Sequence, residues 1–94
     1  MISIQPTISY HSTENVLLFT TFGTDCSDEG WKNLRNYASC YEASKFLKST
    51  NFNSNERKYF PKGCSSDRYK WVFWNTHETG AKSKDQQSIC IGRY

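Results

Sequence analysis

No apolar run in this 94-residue chain approaches the length needed to cross a bilayer. The run nearest the N-terminus is Val16 to Phe19, extended weakly to Phe22, against about 20 residues for a spanning helix. It is also too short for the apolar part of an export leader, and no basic segment precedes it, so neither a transmembrane segment nor a leader is expected. Clustered positive charge is lacking as well. The net charge is +3, and the twelve lysines and arginines are dispersed from Lys32 to Arg93. A solvated surface is the expectation, and a nucleic-acid partner is not. There are only two histidines, His11 and His77, and no Cys-x-x-Cys pair. Structural zinc sites draw closely spaced ligands from one turn, so no metal is expected. Asp25, Asp28 and Glu29 lack the alternating Asp-x-Asp-x-Asp-Gly spacing of a calcium loop and read as a solvated turn. No Asn-x-Ser/Thr acceptor for N-glycans occurs.

Apolar residues are scarce at 36%, whereas aromatics reach 16%. Large rings bury much area each, so the expected core is small, aromatic and in need of staples. Four cysteines supply them: Cys26, Cys40, Cys64 and Cys90, with thirteen, twenty-three and twenty-five residues between neighbours. An even count in a short chain reads as two disulfides and an oxidising compartment, whether extracellular, lumenal or particle-associated. Three pairings are possible. Cys40–Cys64 with Cys26–Cys90 is favoured, because it pins a helix to the turn before the central strand and ties an early loop to the last strand.

The chain divides into an arm or edge strand over residues 1–15 and one cysteine-framework domain over 16–94. Ile2/Ile4 and Ile8/Tyr10 alternate around Pro6, a pattern of an edge strand. Val16 to Phe22 reads as a strand closed by Gly23. A helix opens at Asn36 or Ser39 and ends near Ser49, with Cys40, Ala43 and Leu47 on one face. Residues 50–68 read as loop, with Pro61-Lys62-Gly63-Cys64 as a turn. Tyr69 to Asn75 reads as a central strand, Thr76 to Gln87 as a polar loop, and Ser88 to Arg93 as a last strand. The expected fold class is α+β: one helix packed on an antiparallel sheet of three to five strands.

Gly23-Thr24-Asp25-Cys26, Cys40-Tyr41-Glu42-Ala43, Pro61-Lys62-Gly63-Cys64, Val72-Phe73-Trp74-Asn75 and Ile89-Cys90-Ile91 follow one another in that order. Together they resemble a small cysteine-framework module of predicted surface and secreted proteins of algae and other protists. The resemblance covers about three quarters of the chain and implies a secreted-type interaction module with no chemistry of its own. Residues 76–89 carry none of the further cysteines that other versions of that module have.

No constellation of catalytic residues emerges. His77-Glu78 are adjacent, so on an extended chain their side chains point apart. Neither histidine is placed beside a cysteine, and paired cysteines are not nucleophiles. Neither an enzyme nor a cofactor is expected. If residues 69–75 are a strand, Tyr69, Trp71 and Phe73 share one face and Val72 and Trp74 the other. Val72 and Trp74 are assigned to the core. A partner surface is assigned to Ile4, Ile8, Tyr10, Tyr69, Trp71 and Phe73. The functional expectation is a non-catalytic module that binds a protein or glycan partner. The alternatives are a structural accessory subunit of a membrane complex or particle, and a small secreted toxin or effector.

Overall fold

The computed structural model describes residues 15–93. In chain order the elements are β1 (Asn15–Phe19), a short 3-10 helix (Cys26–Glu29), β2 (Lys32–Asn33), α1 (Tyr37–Phe46), β3 (Phe52–Asn55), β4 (Pro61–Ser66), β5 (Val72–Gly80) and β6 (Gln87–Arg93). The strands form one six-stranded sheet in the order β1-β6-β4-β5-β3, with the two-residue β2 pairing to β6. The α+β class is thus met, but the sheet has more strands than expected and is mixed rather than antiparallel. β3 runs parallel to β5, with Phe52 beside Val72 and Asn55 beside Asn75.

The cause of the parallel pair is a skipped position. β5 sits between β3 and β4, so the 56–60 connection crosses the end of β5 before β4 returns antiparallel to it. One side chain fixes that crossing. The Asn75 amide oxygen accepts from the backbone N–H of Arg57 (2.7 Å) and of His77 (3.0 Å). Its amide nitrogen donates to the carbonyls of Arg57 (2.8 Å), Phe60 (3.0 Å) and Pro61 (2.9 Å). A buried amide that both donates and accepts thus pairs the loop's backbone groups with no strand opposite them. Just beyond, Gly80 adopts φ +62, and a Cβ there would lie 2.5 Å from the Phe60 carbonyl oxygen, so no larger residue fits.

α1 begins where sequence capping places it: the Asn36 side chain accepts from Ser39 N–H at 2.9 Å. It ends at Phe46, a turn earlier than expected, with Leu47 as C-cap and Lys48 in the left-handed region at φ 57. Ser49 N–H reaches back to the Ser44 carbonyl (2.9 Å), which closes the last turn. Cys40 and Ala43 are buried and Leu47 packs at the core's edge, as their spacing predicts.

The core lies between α1 and one sheet face. Leu34, Cys40, Ala43, Cys64, Val72 and Ile89 form it, and Leu17, Phe19, Phe52, Trp74 and Ile91 pack around it. The strand registers put Val72, Trp74, Cys64, Ile89, Leu17 and Phe19 on that same face. Val72 is fully buried, whereas Trp74 is half-buried at the rim. On the other face, Leu18 and Trp31 close over Gly92, where a Cβ would come within 2.6 Å of Leu18 Cδ1.

Both favoured disulfides are present. Cys40–Cys64 joins α1 to β4, and Cys26–Cys90 joins the 3-10 helix to β6. The cysteines are 0–2% exposed. Two expected loops are strands instead. β3 and β4 lie within 50–68, and β5 continues through Gly80 rather than ending at Asn75. Conversely, residues 69–71 belong to a turn and not to the central strand.

Candidate functional site

Between β4 and β5 the chain reverses within five residues. The Asp67 carboxylate accepts from Tyr69 N–H (2.8 Å) and Trp71 N–H (3.0 Å) through the same oxygen, Oδ1. Asp67 N–H donates to the Trp71 carbonyl, and Lys70 N–H to the Asp67 carbonyl. Such an Asx turn satisfies the loop's own backbone and fixes its shape. Lys70 takes φ 66 at its tip, a conformation that a non-glycine residue adopts when neighbouring bonds hold it there. Tyr69 is 79% exposed and Trp71 42%. Beside them the Arg68 guanidinium lies 4.1 Å from the Phe22 ring centroid and donates to the Lys84 carbonyl at 3.2 Å. The result is a turn fixed by its own hydrogen bonds that leaves the Tyr69 and Trp71 side chains exposed, with Arg68 and Lys70 as their neighbours in sequence.

The assigned partner surface is therefore divided. Tyr69 and Trp71 are together at this tip. Phe73 is not: it is 6% exposed, with the Phe60 ring edge-on at 5.1 Å and the Arg57 guanidinium 5.3 Å from its centroid. The alternation that grouped all three assumes one continuous strand, and the strand starts only at Val72. Phe73 points away from α1 and is covered by the crossover loop. Ile4, Ile8 and Tyr10 lie outside the described residues.

Two further surface features escape a reading of the sequence. On α1, Tyr37 and Tyr41 are half exposed and meet the Phe52 ring edge-on at 5.2 and 5.4 Å, and Lys45 sits 5.1 Å over Tyr41. Their four-residue spacing is the signal that could have found them. The second feature is an apolar groove of about 360 Å³ between α1 and the β1–β6 side of the sheet. Leu17, Leu34, Ala43 and Ile91 line it, with Ala38 and Glu42 on the helix rim.

The polar groups weighed as chemistry have structural roles. His77 Nδ1 accepts from Gly80 N–H (2.8 Å) and Thr79 N–H (3.2 Å), shaping the end of β5. In the acidic loop, Asp25 caps the 3-10 helix and accepts from Asp28 N–H, while Asp28 Oδ2 accepts from Asp25 N–H at 2.9 Å. Lys82 Nζ donates to Asp28 Oδ1 at 3.0 Å. The Asp25 N–H, and then Lys82, hold the Asp28 carboxyl below its ordinary value. Among the described residues, no three His, Cys, Asp or Glu side chains come together as a metal site, and no helix is long and apolar enough to cross a membrane. Compared with protein-family models, curated proteins and solved structures, the chain matches none of them.

Proposed function

We propose that this chain is a non-catalytic, disulfide-stapled binding module that takes a protein or glycan partner on the 67–71 turn. The observation that carries the reading is the exposure of Tyr69 and Trp71 on a backbone already locked by Asp67. Holding the loop's backbone in advance removes part of the ordering cost of association. Tyrosine and tryptophan offer large rings with a polar edge, suited to stacking on sugar faces and to the centre of protein contacts. Two disulfides fit an oxidising compartment.

The test uses the full chain against a panel of immobilised glycans, together with a photo-crosslinking residue at position 70, an exposed site between the two rings, carried by the unsubstituted chain and by the double variant alike in the native source. Glycan retention, or a single cross-linked protein species, is the expected result, and the Tyr69→Ala/Trp71→Ala double variant should lose it. Binding that survives the double variant, or neither retention nor adduct, overturns the reading. A structural subunit of an assembly is the second reading. It is favoured by the exposure of three further rings outside that turn's sequence, Tyr37, Phe46 and Tyr59, at 50%, 70% and 72%.

A further inference from the structure

β1 is an edge strand. Its one partner among the described residues is β6, and its outer edge has none. Its sequence, Asn-Val-Leu-Leu-Phe, carries none of the charges, prolines or bulges that natural edges use against unwanted pairing. Helix cover is also uneven on this side. α1 packs over β5, β3 and β4, while Leu17 and Ile91 are half-buried beside the groove of about 360 Å³. A bare strand edge thus borders an apolar trough on the helix side of the sheet.

The chain itself carries a segment of matching character directly before β1. From Ile2 to Tyr10 every even position is apolar (Ile2, Ile4, Pro6, Ile8, Tyr10) and every odd one polar (Ser3, Gln5, Thr7, Ser9). That is the period of a strand with one dry face. Pro6 restricts such a strand to the edge of a sheet. Residues 11–14, His-Ser-Thr-Glu, are polar and of hairpin-loop length.

We propose that residues 2–10 of the same chain occupy this trough, adding to β1 as a seventh, antiparallel edge strand. Parity supports the assignment. With residues 11–14 as the loop, Tyr10 falls opposite Asn15, Ile8 opposite Leu17 and Pro6 opposite Phe19. Directly opposed residues share a sheet face. Leu17 and Phe19 are on the helix face, so the apolar positions of the segment fall on the side where the groove lies and the polar positions on the other. A one-residue change of loop length would invert this and set the isoleucines on the wrong face.

The experiment is carried out on the full chain. In a methyl-resolved NOE spectrum, Ile8 should show cross-peaks to Leu17 and to Ala43, and sedimentation should report a monomer. Ile8→Asp should lower the thermal midpoint by roughly 4–8 °C or more, whereas Ser9→Asp, one position along, should leave it within about 2 °C. Three results would overturn the proposal. One is the absence of Ile8–Leu17 cross-peaks in the unmodified chain. Another is equal shifts for the two substitutions. The third is a dimer whose isotope-filtered cross-peaks run between chains, which would give the trough to a second copy.

Discussion

Replacing Asn75 tests how the crossover is held. Its side chain is 2% exposed and makes five contacts with the backbone of Arg57, Phe60, Pro61 and His77. Asn75→Ala removes all five of these bonds, although the Phe60 carbonyl keeps the Ala81 N–H (2.8 Å) and the Arg57 carbonyl keeps the Phe60 N–H (3.5 Å). Each buried polar group so orphaned costs about 1–3 kcal/mol. Arg57, Phe60 and His77 are half-buried and can recruit water, whereas Pro61 is buried, so one to two full penalties are expected, about 2–5 kcal/mol. Against a typical total of roughly 5–15 kcal/mol for a small domain, that is a large share. Urea midpoints of the purified, oxidised protein measure it. Asn75→Asp gives a second, sharper readout. The new carboxyl would keep the Arg57 and His77 N–H donors on one oxygen but set the other against three carbonyl oxygens in a buried site. Burial and the carbonyls outweigh the donors, favour the protonated form and raise its value above that in the unfolded chain. A raised folded value means that stability is fully present in acid and lost as pH rises through it. The variant should therefore recover part of its loss in mild acid, opposite to the usual trend for an ionised carboxylate. A loss below about 1 kcal/mol for Asn75→Ala would refute the hub, as would an Asn75→Asp variant no better in acid than at neutral pH.

The disulfides should differ in worth: with separations of 24 and 64 residues, loop closure predicts losses of about 3.5 kcal/mol for Cys40→Ser/Cys64→Ser and about 4.3 for Cys26→Ser/Cys90→Ser. Denaturant midpoints in the paired variants rank them, and native material should gain no mass on alkylation without reductant. At the opposite pole, Lys82→Ala should raise the Asp28 titration, followed by carboxyl NMR, part of the way to the ordinary value, because Asp25 N–H still donates to it. Since the folded value is lowered, the contribution of Asp28 is present above the ordinary carboxylate range and is lost as pH falls through the lowered value. An unchanged titration in Lys82→Ala would show that the ion pair is not formed in solution.

The parts legible in the sequence were those with a local cause, or with a residue type such as cysteine that admits only one kind of partner. Asn36 caps its own helix, the cysteines sit where their partners can reach them, and Val72 faces α1 because β-strand parity holds within β5. The parts that were not legible depend on distant neighbours. Phe52-Asn53-Ser54-Asn55 has no strand propensity to speak of, and becomes a strand because β5 offers it an edge. β4 is hidden for a different reason. Ser65 and Ser66 are 0% and 1% exposed, so its interior residues are small and polar and carry no apolar signal. Ser65 Oγ finds Gln86 Oε1 at 2.9 Å, and Gln87 Nε2 finds Ser66 Oγ at 3.0 Å, partners more than twenty positions away. The binding tip was half legible: Tyr69 and Trp71 stand out by composition, but their separation from Phe73 follows from the Asp67 turn, which moves the strand's start to Val72.

The pairing of cysteines also decides what a protease can do to this domain. Cys26–Cys90 encloses almost every exposed loop, and Cys40–Cys64 sits inside it. A tryptic cut after Lys58, an exposed residue of the crossover loop, falls within both rings, and one after Lys70 falls within the larger. Either nick leaves a single covalent particle that separates into two pieces only when reduced. Had Cys26 bonded to Cys40 and Cys64 to Cys90, the cut after Lys58 would release two halves at once. In a protease-rich surrounding, a clipped copy of this molecule would keep its termini and its strands bound in one body long after its backbone had been breached.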